Sequence, residues 1–414
     1  MIVEWGFAVP GVVIGLVFMV YAVRYYLYSF IALRDRRSTG PQGDDCEGED
    51  CESEDRGLVS ILLPVYNEAN VVDRLLGACT SINYPEYEIV IVDDSTDEES
   101  MRKVRRWEGH PRVRVIRRSR REGFKSGALN EGLRHLHPES EFVLFLDADF
   151  IPPPDILQRS LHLFEDGGVA AVQGYQDHAL NWDENLITRM VRVSATSGYM
   201  VDFYARSRLG TLLQLTGSAM ILRTEIAKKM RFCNPCQTED WDLTLRLYLE
   251  GHRIVFDPAL RVPAECPSTL TELIRQQMRW AEGHTRVARR DFRRMLSSPL
   301  ISLRRKMEFL LLAGFYLQAL LFLVGVACAA AAVLLQVRII PTEAGFLIFL
   351  FDALAPTSLG STGLYLEGDR RSNFLGLLSS PLMVFALAPF LSLAFLRGLV
   401  LSDDHSSSHH WHRT

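Results

Sequence analysis

The chain has 414 residues and a formal charge of -5, from 45 Lys+Arg against 50 Asp+Glu. Its 48% hydrophobic and 23% charged residues exclude a disordered, collagenous or coiled-coil protein. The averages conceal a segregation, with apolar residues at both ends and charge between them. Asp44, Asp45, Glu47, Glu49, Asp50, Glu52, Glu54 and Asp55 crowd one short stretch, so the mild acidity says little about partners of the remainder.

Residues 6–23 carry no charge, and after Arg24 the apolar and aromatic run continues through Leu33. About 20 apolar residues cross a hydrocarbon core. A cleaved signal peptide is the competing reading. No positive charge precedes the run, however, and Arg34, Arg36 and Arg37 follow it directly, which favours a retained transmembrane helix (residues 1–37) with its basic end cytoplasmic. Residues 38–57 read as an acidic, disordered linker, too polar to bury anything.

The run Leu58–Val65 and the shorter runs 87–92, 113–116 and 142–146 are apolar and bounded by turn residues, as buried strands are. Helical spacing separates them, over 69–80, in an Arg-rich segment after Ser95, and from about Ser126. Strands alternating with helices predict an α/β fold on a parallel sheet, whose ligands sit beyond the carboxyl ends of the strands. Three of these runs end in polar or acidic groups: Tyr66-Asn67-Glu68, Asp93-Asp94-Ser95 and Asp147-Ala148-Asp149.

Asp147 and Asp149, one residue apart at a strand end, are expected to point the same way, because side chains alternate along a strand. Two hard carboxylates suit Mg2+ or Mn2+ carrying a diphosphate, although a solvated strand-end pair would have the same spacing. Asp93 and Asp94 are placed either to cap the next helix or to accept a hydrogen bond from a nucleotide base. Lys125 lies in a glycine-flanked turn before a helix, within reach of a phosphate unless it is plain surface.

Thr238-Glu239-Asp240 opens an amphipathic helix, with Thr238 as its expected cap. Acids favour a first helical turn in any case, and the functional alternative is a carboxylate acting as general base. Gln276, Arg279 and Trp280 share one face of a helix that starts with a capping box, Thr269 to Glu272. An Arg fork beside a Trp platform suits phosphate and a sugar ring, while a core stripe with a snorkelling Arg is the plainer reading.

After Trp280 come Arg286, Arg289, Arg290, Arg293, Arg294, Arg304, Arg305 and Lys306, as on an interfacial helix lying on anionic lipid. A nucleic-acid site is discounted, because uncharged runs follow at 309–337 and 374–396, each long enough to span. Between them, 345–366 is a third span or a re-entrant hairpin interrupted by Asp352 and Pro356. The C-terminal membrane region covers 301–402, with two or three spans, and a polar tail occupies 403–414. Positive charge places the section between the first spans, 58–300, in the cytosol. Cys233 and Cys236 have the spacing of half a zinc site that Cys46 and Cys51 would have to complete; two loop thiols is the simpler reading.

Taken in order, Pro-Val-Tyr-Asn-Glu, Val-Asp-Asp-Ser, Gly-Phe-Lys-Ser-Gly-Ala-Leu-Asn, Asp-Ala-Asp-Phe, Thr-Gly-Ser, Thr-Glu-Asp and Gln-Gln-Met-Arg-Trp resemble the motifs of membrane-embedded family 2 glycosyltransferases. These include cellulose synthase and hyaluronan synthase, and most closely the cellulose-synthase-like β-mannan and glucomannan synthases. The resemblance implies a GT-A-type, Rossmann-like nucleotide-sugar domain and an inverting, metal-dependent hexosyl transfer from a UDP- or GDP-sugar to a growing polysaccharide. It puts Tyr66, Glu68, Asp93 and Asp94 around the nucleoside, Lys125 and Asp147 at the diphosphate, and Asp149 on the metal. Asp240 would be the base with Glu239 beside it. Gln276 and Arg279 would bind the pyrophosphate side, and Trp280, Gly217, Ser218 and Thr238 the acceptor path. A plasma-membrane protein with a cytosolic catalytic domain and lipid contacts is implied. Unlike cellulose synthase, the chain has no F-x-V-T-x-K motif after Trp280 and few spans, so a channel would need two protomers. The alternative is a lipid glycosyltransferase of the ceramide or diacylglycerol glucosyltransferase kind, with a glycolipid acceptor.

Overall fold

The computed structural model describes residues 2–39, 57–234, 236–336, 342–369 and 371–401. The acidic linker with Cys46 and Cys51, Arg370 and the tail from residue 402 lie outside the described residues. In chain order the elements begin with α1 (Ile2–Thr39), β1 (Leu58–Val65), α2 (Val72–Thr80), β2 (Tyr87–Asp93), α3 (Glu98–Arg105), β3 (Val113–Arg117), α4 (Phe124–Arg134) and β4 (Ser140–Phe145). They continue with α5 (Ile156–Leu161), β5 (Val169–Asp177), α6 (Leu186–Thr196), a π-helical turn (Ser197–Phe203), α7 (Tyr204–Leu209), β6 (Met220–Arg223) and α8 (Thr224–Met230). Then come α9 (Glu239–Leu249), β7 (Arg253–Pro263), α10 (Leu270–Ser297), α11 (Leu303–Ala313), α12 (Leu317–Leu334), α13 (Thr342–Glu367) and α14 (Phe374–Val400).

The seven strands lie in the order β3-β2-β1-β4-β6-β5-β7. The four runs read from the sequence, β1 to β4, pair in parallel as expected, and the sheet becomes mixed through β6, which runs antiparallel to both β4 and β5, while β5 and β7 are parallel. β1 is buried on both faces, with Ile61 and Leu63 in one cluster beside Leu75 and Leu76 of α2, and Leu62 in the other beside Leu129 and Leu133 of α4. That is why it reads as a continuous apolar run. Gly132 lets α4 lie directly on the sheet, since a Cβ there would meet Leu62 Cδ1 at 2.1 Å.

Among the described residues four helical stretches are long and apolar enough to cross a membrane: Pro10–Asp35, Leu317–Leu334, Gly345–Glu367 and Phe374–Val400. The apolar run 309–337 is not one span. The helix breaks after Ala313, and Phe309 is buried in the apolar core against Trp241 and Phe292, so α11 belongs to the sheet domain, whose packing therefore extends beyond residue 300. Arg24, a charge within the apolar stretch of α1, is offset by Glu308 of α11 and Asp202 of the π-helical turn, each at 2.7 Å, with the Tyr28 hydroxyl donating to Glu308 at 2.8 Å. A second cluster holds α13 to the sheet. Arg192 of α6 pairs with Asp177 of β5, with Asp369 at 2.9 Å and with Glu367 at 3.3 Å, and Arg261 of β7 bridges Asp177 at 2.8 Å and Glu367.

Candidate active site

The β1 and β2 loops are tied together by Asn67, in the left-handed region at φ 56, where Asn is tolerated. Its N–H donates to Ser95 Oγ at 3.0 Å and its side-chain oxygen accepts from Thr96 N at 2.8 Å. Asp93 accepts from Ser95 N at 2.9 Å and Arg117 at 3.0 Å. Asp94 accepts both arms of the Arg118 fork, with Nε at 2.8 Å, and Arg121 stands 3.9 Å away. The Arg121 guanidinium lies 3.2 Å from the centroid of the Tyr66 ring, a cation–π contact. Tyr66, Asp93 and Asp94 therefore share one corner with Arg118 and Arg121, which lie between β3 and α4. Neither Asp93 nor Asp94 caps α3; Asp97 does, accepting from Ser100 N at 2.7 Å. The main-chain carbonyl of Glu68 opens α2 by accepting from Val71 N and Val72 N.

The centre of the site lies where β4, α4, the loop before β6 and α9 converge. Lys125, in the first turn of α4, donates to Asp147 (2.6 Å to Oδ1) and to the Gly217 carbonyl at 3.2 Å, and lies 3.6 Å from Glu239. The Asp147 N–H donates to Ser218 Oγ at 3.0 Å. Gly217 has φ +81, and a Cβ there would stand 3.2 Å from Asp240 Oδ2 and 3.4 Å from Lys125 Nζ. One small residue thus lets the base candidate and the ammonium approach each other. Burial opposes the Lys125 charge, but Asp147, Glu239 and Asp240 outweigh it and hold the ammonium up at about 12. Burial, then Glu239, pushes Asp240 up to about 7 against Lys125. Burial, then Asp147, pushes Asp149 up to about 7.

Strand alternation is not what joins Asp147 to Asp149: β4 ends at Phe145, and the two acids sit in the turn beyond it. The donor chemistry still fits a hard divalent cation. Burial, and then the like charge of Asp147, raise the proton affinity of Asp149, and a cation would relieve that repulsion. Among the described residues no group of three or more His, Cys, Asp or Glu could hold a metal, so substrate oxygens and water would complete the shell. Cys233 lies 3.9 Å from Arg290, and no described residue joins Cys233 and Cys236 in such a group.

α10 closes the far wall. Burial pushes the Arg279 guanidinium down, opposed by Glu239, Asp240 and Asp147, so it faces the same carboxylates as Lys125. Gln276, on the same helix, is half-buried, and Trp280 is 37% exposed. Thr238 occupies the cap position of α9, but its hydroxyl makes no cap bond; instead Gly283 of α10 sits on it, where a Cβ would meet Thr238 Cγ2 at 2.8 Å. Trp241 stacks on His284 at 4.3 Å, and Tyr316 meets His284 edge-on at 5.6 Å. Burial, then the Asp240 charge, holds the phenol of Tyr316, the residue before α12, above its usual range. Nothing in the sequence singled out Tyr316 or His284. The basic run after Trp280 is less free than expected: Arg286 pairs with Glu282, Arg290 with Asp242 and Asp291, and Arg294 with Asp291.

A mixed α/β sheet with acids and a lysine beyond its central strands, packed on apolar helices, defines a GT-A-type domain joined to membrane helices. The chain belongs to the family described as glycosyltransferase like family 2, whose model matches residues 56–283, just over half its length. It is 31% identical over 274 residues to a probable glucomannan 4-beta-mannosyltransferase 14 of Arabidopsis thaliana, covering 63% of this chain and 51% of the relative. It is also 31% identical over 262 residues to glucomannan 4-beta-mannosyltransferase 1 of Oryza sativa subsp. japonica, covering 61% and 50%. The chain thus spans about half the length of these relatives. The mannosyltransferase PcManGT from Pyrobaculum calidifontis, in complex with GDP-Man and Mn2+, has the same fold: TM-score 0.61 and 20% identity, covering 94% of this chain and 99% of that one.

Proposed function

We propose that the protein is a membrane-anchored, inverting glycosyltransferase that moves a hexose from a nucleotide sugar to a growing polysaccharide at the cytosolic face of the cell membrane. The supporting observation is the placement of Asp240: beside Gly217, facing Lys125 and Arg279, and held near neutrality by burial and Glu239. A carboxylate with that affinity takes a proton from an acceptor hydroxyl at physiological pH. The acceptor oxygen forms a bond to the anomeric carbon as the bond from that carbon to the diphosphate oxygen breaks. The nucleoside diphosphate leaves with the electron pair, and an α-linked donor becomes a β-glycoside.

Lys125 and Arg279 bring positive charge to the leaving diphosphate, where charge develops. Asp147 and Asp149 would hold Mg2+ or Mn2+, which neutralises diphosphate charge when bound. Tyr66, Glu68, Asp93 and Asp94 line the nucleoside corner, with Arg118 and Arg121 fixing Asp94 and Tyr66. Gln276 stands with Arg279 on the pyrophosphate side, and Gly217, Ser218, Thr238 and Trp280 border the acceptor side.

A lipid-borne acceptor is the second reading. It is favoured by Tyr316, the residue before α12, whose phenol is buried and feels the Asp240 charge, which sets the base near the foot of an apolar helix where an acceptor in the bilayer would arrive without a channel. Names of the relatives make GDP-mannose the first donor to try. Transfer is measured in membranes with GDP-mannose, UDP-glucose and UDP-N-acetylglucosamine, each with Mg2+ or Mn2+, and the products are sized. A polymer ladder supports the first reading and a single glycolipid the second; no turnover with any donor refutes both. Asp240→Asn is expected to abolish transfer while keeping metal-dependent nucleotide binding, and near-normal turnover would remove Asp240 as the base.

A further inference from the structure

α14 has the length and composition of a membrane span, yet both its ends are fastened to the catalytic domain. At its start, Asn373 Nδ2 donates to the Arg189 carbonyl of α6 at 3.0 Å, and Arg189 Nη1 donates to the Ser372 carbonyl at 3.0 Å. Gly376 lies so close to α6 that a Cβ would meet Arg189 O at 2.7 Å. At its end, Gly398 presses on α10, where a Cβ would meet Glu282 O at 2.6 Å, and Arg289 donates to the Leu399 and Leu401 carbonyls, the latter at 3.1 Å. α6 carries the arginine that pairs with the sheet, and α10 carries Arg279 and Trp280. A helix crossing a bilayer cannot have both ends on one water-soluble domain.

The middle of α14 shows where the helix goes instead. Phe385 packs on Phe322 of α12 with ring centroids 5.0 Å apart, and Leu391, Ala394 and Phe395 pack with Leu317, Leu320, Tyr316 and Ala281. Phe322 lies only about 9 Å along the α12 axis from Tyr316 at 1.5 Å per residue, roughly a third of a hydrocarbon core. Leu378, Leu382, Val384, Phe385 and Phe390 are exposed, and Pro381 and Pro389 interrupt the hydrogen bonding of the helix there.

By contrast, α1, α12 and α13 run the full depth. Tyr21 of α1 donates to the Leu311 carbonyl just before the foot of α12, and Gly325, further along α12, meets Ile14 of α1. Tyr26 lies beside Phe351, and Tyr28 and Ala32 lie beside Leu359, so α1 and α13 run in the same direction towards the catalytic domain. We infer that the chain crosses the membrane three times, and that α14 is a monotopic helix whose exposed apolar face is a docking surface for the acyl chains of the catalytic-side leaflet. It re-enters on the side it left and holds α10, with Trp280, at the bilayer surface.

The test uses the full chain in sealed vesicles, with the native cysteines replaced by serine and single cysteines introduced by Arg120→Cys on the catalytic surface, Gln336→Cys at the far end of α12, or Leu401→Cys. A membrane-impermeant maleimide is expected to label positions 401 and 120 on the same side, and 336 on the other. Labelling of 401 together with 336 would overturn the inference. Protease removal of a tag appended after Thr414 gives the same readout without the Leu401 substitution. In a second measurement, Phe385→Trp is reconstituted with phosphatidylcholine whose acyl chains are brominated near either the headgroup or the methyl end. Stronger quenching by the headgroup-proximal bromines is expected. Stronger quenching by the methyl-end bromines would mean a crossing helix, and no quenching by either would mean that a second copy or another protein covers the face.

Discussion

Replacing Glu239 with Gln tests whether the base is tuned by its neighbour's charge. Asp240 stands near 7 because it is buried and because Glu239 precedes it, against the opposing Lys125. Lys125 Nζ lies 3.6 Å from Glu239 Oε1, and both Nζ and Asp240 Oδ2 lie within 3.4 Å of one point above Gly217. The two carboxylates and the ammonium therefore occupy one small volume. A unit charge at roughly 7 Å, in a medium of effective permittivity about 20, is worth about 2 kcal/mol, or between one and two pKa units. Burial is the larger cause at Asp240, which favours the lower figure, about one unit. Removing Glu239 also leaves more of the Lys125 charge to act on Asp240, so both consequences push its affinity for the proton down. The assay is kcat/KM for transfer across the acidic limb at saturating Mn2+. The wild type is expected to lose activity as pH falls through about 7, because a protonated Asp240 accepts nothing. Glu239→Gln is expected to move that limb down by about one unit, with a lower plateau from the weaker base. A limb that stays in place, or moves up, refutes the electrostatic account of the site.

Asp149→Asn is expected to abolish the stabilisation that Mn2+ plus nucleoside diphosphate gives in a thermal-shift assay. Without metal the same variant should be more stable than wild type above pH 7, by ~1–2 kcal/mol, since a carboxyl with a raised pKa loses its stabilising contribution as pH rises through that value. Unchanged metal response would remove Asp149 from the cation site. Gly217→Ala is expected to cost about 1–2 kcal/mol of stability from the left-handed backbone. Turnover should fall further than that, because the methyl group would stand 3.2 Å from Asp240 Oδ2; full turnover in a folded variant would show that the close approach is dispensable. Arg192→Met leaves Asp177, Glu367 and Asp369 short of a partner and is expected to destabilise the solubilised protein by about 3–5 kcal/mol; a thermal unfolding midpoint like that of wild type would refute the structural role of the cluster.

The strands that position the site were legible because burial on both faces leaves an unbroken apolar run, as in β1 and β2. The acids beyond them were legible because polar groups at strand ends have few other uses. What the residues alone could not show was pairing across sequence distance. The antiparallel β6 is a four-residue strand whose neighbours are set by the sheet, not by its own composition. Arg118 and Arg121 carry no motif of their own, and their partners Asp94 and Tyr66 come from other strand ends. Periodicity misled at two points. Residues 309–337 contain both a core helix and a membrane helix, because a catalytic core and a lipid bilayer select the same apolar residues. Thr238 has the right type and position for a cap, but close packing by Gly283 claims its side chain.

The arginine cluster at Arg192 and Arg261 sets an order of events during synthesis. Until α13 is made, the two guanidinium groups share Asp177 alone, and the acids that complete the set, Glu367 and Asp369, lie more than 100 residues downstream of Arg261. Domains fold as the chain emerges, and a contact of that sequence separation forms late. The sheet domain therefore waits, with unbalanced positive charge on one flank, for the α12 and α13 hairpin to enter the bilayer and return. Insertion of the hairpin thus becomes a condition for completing the sheet domain, and a chain that fails to insert is left with an open, charged seam for quality control to find.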